Sequence, residues 1–231
     1  MKRAYWTLRR LIGNSILDFY GRRDAERFCR IFPDISDYEM QSEQYRNILQ
    51  PYYEEYTRDI STPAMAISLE AAVFLYILTT KKRPRWILDL GSGFSSFTFR
   101  LYSMNTSNEV GIYSVDDDQQ WLEKTRSYLT DRGVRSDNLL HWRDFQKLNV
   151  TQFDLIFHDL GYPNVRAESL PFVLSLLDRG GILVLDDMHK SHYRANVRRV
   201  LSTRQFKLFS MRAYTLDKFG RFSSAAISPV T

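Results

Sequence analysis

The sequence predicts an α/β fold: a seven-stranded, mostly parallel sheet with helices on both faces, an antiparallel C-terminal hairpin and a helical N-terminal extension. Three observations predict it. Beyond Pro84, short apolar runs alternate with amphipathic segments, the texture of β–α–β units around a parallel sheet. The first run, Trp86 to Leu90, passes straight into the glycine-containing turn Gly91-Ser92-Gly93. The last two runs, Phe206 to Leu216 and Arg221 to Pro229, are separated only by Asp217, Lys218, Phe219 and Gly220, a connection suited to an antiparallel hairpin at a sheet edge.

The elements follow in order. Trp6, Leu8, Leu11, Ile12, Ile16 and Phe19 recur at roughly helical spacing, and Tyr45, Tyr52, Tyr53 and Tyr56 follow, so residues 1–60 form a helical extension. Its aromatic residues are expected to pack it onto the core; the competing expectation makes them a substrate cover that governs acceptor choice more than cofactor binding. Residues 61–231 form the main domain. Ala64 to Thr80 contains Glu70 and is shorter than the roughly 20 apolar residues of a membrane span, so it reads as a buried helix. The remaining strands are expected at Val110 to Val115, Asn138 to Trp142, Phe153 to His158 and Gly181 to Leu185. Between strands, Trp121, Leu122, Thr125, Tyr128 and Leu129 share one helical face, as do Tyr193, Val197, Val200 and Leu201.

With 231 residues the chain suits one sizeable core better than two domains of typical size. The single cysteine, Cys29, cannot close an intramolecular disulfide or build a cysteine metal cage, which fits a reducing cytoplasm. Gly13, Asn14 and Asp18 interrupt the apolar run that a signal peptide requires. The net charge of +5 admits an anionic partner, but the basic residues are scattered as on a solvated surface, which speaks against nucleic acid.

Glycines in the turn after the first strand let backbone approach a ligand at the carboxyl edge of the sheet, where open α/β folds bind nucleotides. Asp116 closes the next strand 23 residues after Gly93, where a carboxylate can accept from both ribose hydroxyls. A phosphate-binding P-loop would need lysine after the turn, and the first lysine after Gly93 is Lys124. A dinucleotide fold favours glycine where Ser96 stands.

With Asp89 two residues before Gly91, the turn resembles the first motif of the class I S-adenosylmethionine (SAM)-dependent methyltransferases. The resemblance spans residues 64–230 and implies a Rossmann-like fold with SAM as cofactor. It implies that Asp89, Gly91, Gly93 and Ser95 line the methionine end of SAM, that Asp116 binds the ribose and that Asp144 meets the adenine. Ser95 replaces the motif's usual third glycine.

Two further strand ends are acidic: Asp159 follows the fourth strand, and Asp186-Asp187 the fifth. Carboxylates brought together at strand ends repel unless something positive sits between them, and three of them suit a hard cation such as Mg²⁺. This pattern is similar to the metal-dependent O-methyltransferases of the catechol type and, through the Asp-Asp pair, to the macrocin-type sugar O-methyltransferases. The resemblance implies that Asp159, Asp186 and Asp187 ligate Mg²⁺ or another divalent cation, with Asp159 also beside the cofactor. Tyr162 stands where the catechol type has lysine and Gly161 where the macrocin type has an acid, leaving His189 and Tyr162 as candidates for the base.

The expected function is therefore Mg²⁺-dependent O-methylation of a small acceptor, a sugar or glycan ahead of a catechol. The alternatives are a metal-independent RNA or protein methyltransferase, or a noncatalytic subunit with a SAM fold. No Asn-Pro-Pro-Tyr-type sequence and no appended RNA-binding module supports the first alternative, and an intact cofactor turn speaks against the second.

Overall fold

A computed structural model describes the backbone of residues 2–150 and 152–229 and the side chains of 15–150 and 152–229. The chain begins with α1 (Lys2–Ile31), α2 (Tyr38–Asp59) and α3 (Leu69–Lys82). It continues through β1 (Trp86–Leu90), α4 (Phe94–Met104), β2 (Gly111–Asp116), α5 (Gln119–Asp131), β3 (Leu139–His141) and the short α6 (Trp142–Phe145). Next come β4 (Phe153–His158), α7 (Pro163–Ser175), β5 (Leu177–Leu185) and α8 (Ser191–Ser202), then β6 (Lys207–Ser210), the single turn α9 (Arg212–Thr215) and β7 (Ser224–Ile227).

The strands form one seven-stranded sheet in the order β3-β2-β1-β4-β5-β7-β6, parallel except for β7, which runs antiparallel to both neighbours. Chain direction across the sheet reverses between β1 and β4, so their carboxyl ends open a crevice at the switch point. Successive residues of each strand serve opposite faces. Ile87, Leu155, Phe157 and Val184 pack with residues of α1 to α5, whereas Leu88, Ile156, Leu183 and Leu185 pack with α7 and α8. Being covered on both sides, the central strands read as near-continuous apolar runs.

Side-chain caps fix the starts of α3 and α5. Ser68 caps α3 by accepting from the Ala71 N–H at 3.0 Å, and Asp118 caps α5 by accepting from Gln120 and Trp121. The α3 helix is buried along most of its length and contributes to the core beneath α2. Among the described residues no helix is long and apolar enough to cross a membrane.

Two expectations are corrected. The fifth strand starts at Leu177, ahead of Gly181, because the pairing with β4 shifts between Phe153 and Leu155 and the Gly180-Gly181 pair sits in that irregularity instead of in a turn. The C-terminal strands are shorter than the apolar runs that suggested them. Asp217 and Gly220 do form a turn, with Gly220 N–H donating to the Asp217 carbonyl, but α9 and residues 216–223 lie between β6 and β7.

The extension packs against the core. Phe28, Ile35, Tyr38, Leu49 and Tyr56 join the same core as α3 and the sheet, and Tyr45, Tyr52 and Tyr53 lie partly buried against it. Ile16 and Phe19 are exposed, while Trp6, Leu8, Leu11 and Ile12 fall outside the described side chains.

Candidate active site

The crevice between β1 and β4 is a cavity at the carboxyl edge of the sheet, lined by Gly91, Ser92, Gly93, Ser95, Asp116 and Asp159 among others. Gly91 has φ +97°, and a Cβ there would stand 2.5 Å from the Asp159 carbonyl oxygen. Only glycine lets the ends of β1 and β4 come this close, with Asp159 N–H donating to the Leu90 carbonyl at 2.6 Å. Gly93, at φ +153°, opens α4 beneath the Tyr56 hydroxyl, which a Cβ would meet at 2.9 Å. Trp121 closes the other side by donating from Nε1 to the Ser92 carbonyl at 2.6 Å.

Asp116 is buried at the end of β2. Its Oδ2 accepts from the Ser92 N–H at 2.7 Å and the Ser92 hydroxyl at 3.1 Å, and its Oδ1 accepts from the Asp118 N–H at 3.0 Å. Burial pushes its pKa up to about 6, against the pull of those N–H donors. Asp117, Asp118 and Asp159 also line the cavity, where Arg166 is the facing cation among the described lining residues. Four carboxylates against one guanidinium favour a ligand that carries positive charge.

Asp89 and Asp144 lie outside this lining. Asp89 is fully buried beneath the turn, where its Oδ2 accepts from Ser96 at 2.5 Å and Ser114 at 2.9 Å, and burial raises its pKa to about 6. It supports the turn from below, and its Oδ1 has no partner among the described atoms. Asp144 is exposed on α6 and pairs with Lys147 at 2.7 Å, because the short β3 turns directly into a helix whose acidic residue faces solvent. Its expected contact with an adenine therefore has no support from the cavity lining.

The structure brings Asp159 and Asp187 together around a residue that the motif pattern did not reveal. Arg166, in the first turns of α7, is buried between them, with Nη2 2.7 Å from Asp159 Oδ1 and Nη1 2.9 Å from Asp187 Oδ2. Its Nε donates to the Leu160 carbonyl at 3.2 Å and its Nη2 to the Gly161 carbonyl at 2.8 Å. Pro163 at the helix start turns the chain back so that Arg166 returns to the strand end it has just left. The repulsion expected among these carboxylates was the available signal; the sequence does not say which cation relieves it.

Lys190 also donates to Asp187 Oδ2, at 2.5 Å, and Asp186 Oδ1 accepts from Ser223 at 2.8 Å. Asp187 adopts φ +58°, a left-handed conformation that its contacts with Arg166 and Lys190 hold in place. Burial would raise the Asp187 pKa, but Lys190 and Arg166 overcome it and hold the carboxyl below its ordinary value. Asp159 is pushed the other way, by burial and by Asp186, Asp187 and Asp89, despite Arg166.

This donor set does not fit a divalent cation. The position between Asp159 and Asp187 is filled by a guanidinium with named acceptors, Asp186 is engaged with Ser223, and the described residues contain no group of three or more acidic, histidine or cysteine side chains able to hold a metal ion. The residues do fit SAM, whose sulfonium and ammonium suit the acidic lining and whose adenosine suits a carboxylate at the end of β2 beside Tyr56 and Trp121.

Of the two base candidates, Tyr162 is exposed at the cavity lining. His189 lies outside that lining, with Nδ1 3.5 Å from Asp187 Oδ1. Burial lowers the His189 pKa, so its ring is neutral near pH 7.

The sequence matches no protein-family model and no curated protein. Solved structures are similar in fold. The O-methyltransferase TomG from Streptomyces achromogenes, in complex with SAM, superposes with a TM-score of 0.58 at 18% identity over 76% of this chain and 86% of that one. The SAH-bound Podospora anserina methyltransferase PaMTH1 gives 0.59 at 17% identity over 74% and 84%. A Bacillus cereus O-methyltransferase in complex with SAH gives 0.57 at 16% over 72% and 84%. The chain therefore has the Rossmann-like fold of these enzymes, including the antiparallel C-terminal strands.

Proposed function

We propose that the protein is a SAM-dependent methyltransferase acting on a hydroxyl group of a small acceptor. The observation that carries this reading is the acidic cavity at the β1–β4 switch point, with Gly91 and Gly93 on its floor and Asp116 on its wall. The fold shared with SAM- and SAH-bound O-methyltransferases supports it. The scattered positive charge speaks against nucleic acid. The partly buried Cys29 agrees with a cytoplasmic setting.

SAM supplies an electrophilic methyl group. When bound, it would be available for transfer to an acceptor hydroxyl, whose proton a base of the chain would take up. The chain's residues orient the partners: Gly91 and Gly93 give backbone access, and Asp116 takes the ribose hydroxyls. Tyr162, in the cavity lining, and His189, 3.5 Å from Asp187 Oδ1, are the candidate bases, and Asp159 lines the same cavity.

Calorimetric titration with SAM and SAH tests the reading, followed by transfer from labelled SAM to sugars, catechols, RNA and peptides. Binding of both nucleosides by wild type, lost in Gly93→Leu, is expected. Absence of binding by wild type would sink the proposal.

A further inference from the structure

We propose that Arg166 is the resident cation of this site, standing where a divalent metal would otherwise join the strand ends, so that the cavity works without metal. The inference deepens the methyltransferase reading and rests on it only for the identity of the cavity's occupant.

The geometry carries it. Three of the five N–H donors of the guanidinium have named acceptors here, the carbonyls of Leu160 and Gly161 and the carboxylate of Asp187, and Nη2 is also ion-paired with Asp159 Oδ1 at 2.7 Å. Asp159, Leu160 and Gly161 belong to the loop after β4 and Asp187 to the loop after β5, so a single side chain ties both strand ends together. A divalent ion would need this space and would bring two positive charges beside a guanidinium that the carboxylates hold permanently protonated. Lys190 adds a second positive charge on Asp187. Asp187 is thus saturated by two cations of its own chain, and Asp186 is turned toward Ser223.

A chemical consequence follows for the acceptor. A metal ion selects acceptors by chelating two neighbouring hydroxyls and acidifying one of them. A buried guanidinium with its donors already engaged offers neither service. A single hydroxyl is therefore as suitable as a vicinal pair, and selection falls to the cavity walls.

The test uses the full chain dialysed against EDTA, with Mn²⁺ and SAH as probes. In an electron paramagnetic resonance titration the Mn²⁺ signal is expected to stay that of the free ion up to millimolar concentration, and SAH affinity is expected to be the same with EDTA or Mg²⁺. Saturable binding of one Mn²⁺ per chain, abolished by Asp159→Asn, would overturn the inference while leaving the methyltransferase reading intact. Failure of SAH to bind under either condition would instead remove that reading. Arg166→Lys keeps the charge but loses the planar fork, and it is expected to weaken SAH binding at least tenfold without rescue by Mg²⁺. Unchanged SAH affinity, or recovery with Mg²⁺, would count against Arg166 as the site's cation.

Discussion

At the scale of single residues, Gly91 is decided by the distance between two strand ends. A methyl group there meets the Asp159 carbonyl at 2.5 Å and its carbon at 2.6 Å, both backbone atoms that cannot swing aside, in a φ region unfavourable to L-residues. Gly91→Ala is expected to lower stability by about 3 kcal/mol, combining backbone strain with overpacking. Urea denaturation of the two proteins measures it. Asp116 carries a pH prediction. Its free carboxyl titrates at about 6, and the ionised form is the one that accepts from ribose hydroxyls. Binding therefore favours the deprotonated state, so SAH affinity is full above this value and falls as pH drops through about 6. Asp116→Asn should bind more weakly throughout and lose that dependence in calorimetry across the same pH range. Asp89, raised to a similar value beneath the turn, makes this control essential.

At the scale of elements, the segment joining α2 to α3 is held by one side chain. Arg221 donates from Nη1 to the Ala64 carbonyl at 2.8 Å and the Ala66 carbonyl at 3.0 Å, and from Nη2 to the Pro63 carbonyl at 2.9 Å. Asp217 fixes its Nε at 2.7 Å, so the lobe between β6 and β7 clamps the segment whose Met65, Ala66 and Ile67 line the cavity. Arg221→Met is expected to cost about 2 kcal/mol through carbonyls left without donors, and to weaken SAH binding as well. Thermal unfolding with and without SAH separates the two effects. Ser68→Ala, which removes only the α3 cap, should cost about 1 kcal/mol and leave SAH binding nearly unchanged. A loss of SAH binding equal to that of Arg221→Met would show that any weakening of this segment suffices, without a special role for the clamp.

At the scale of the whole molecule, the boundary at residue 60 divides the sequence texture more than it divides the packing. Ile60 and Ser61 both donate to the Tyr56 carbonyl, and Tyr56 stands over Gly93 in the cofactor cavity while packing against Phe94 and Tyr128. A chain starting at Ser61 loses Phe28, Ile35, Tyr38, Leu49 and Tyr56 from the main core, each fully buried large side chain contributing about 1.5–3 kcal/mol. Such a loss approaches the entire stability of an ordinary domain. The shortened chain is expected to lose its cooperative thermal transition and to bind no SAH. A folded, SAH-binding product would restore the view of residues 1–60 as a cover concerned with the acceptor alone.

What the sequence by itself determined is what repeats or alternates locally. Buried parallel strands appear as apolar runs, so β1 and β4 are legible to the residue, and the amphipathic faces of α5 and α8 follow from 3.6-residue spacing. The turn at Gly91 and Gly93 and the acidic end of β2 were legible because each follows directly on an apolar strand, at the edge where the chain leaves the sheet. The surroundings of Asp144 were not legible, because the short β3 gives way at once to a helical turn that leaves the side chain exposed and paired with Lys147. Only the tertiary structure decided the meeting of Arg166 with Asp159 and Asp187 and the placing of Tyr56 over Gly93. These contacts join residues on separate elements, and no periodicity along the chain records which positive charge will come to rest between two negative ones.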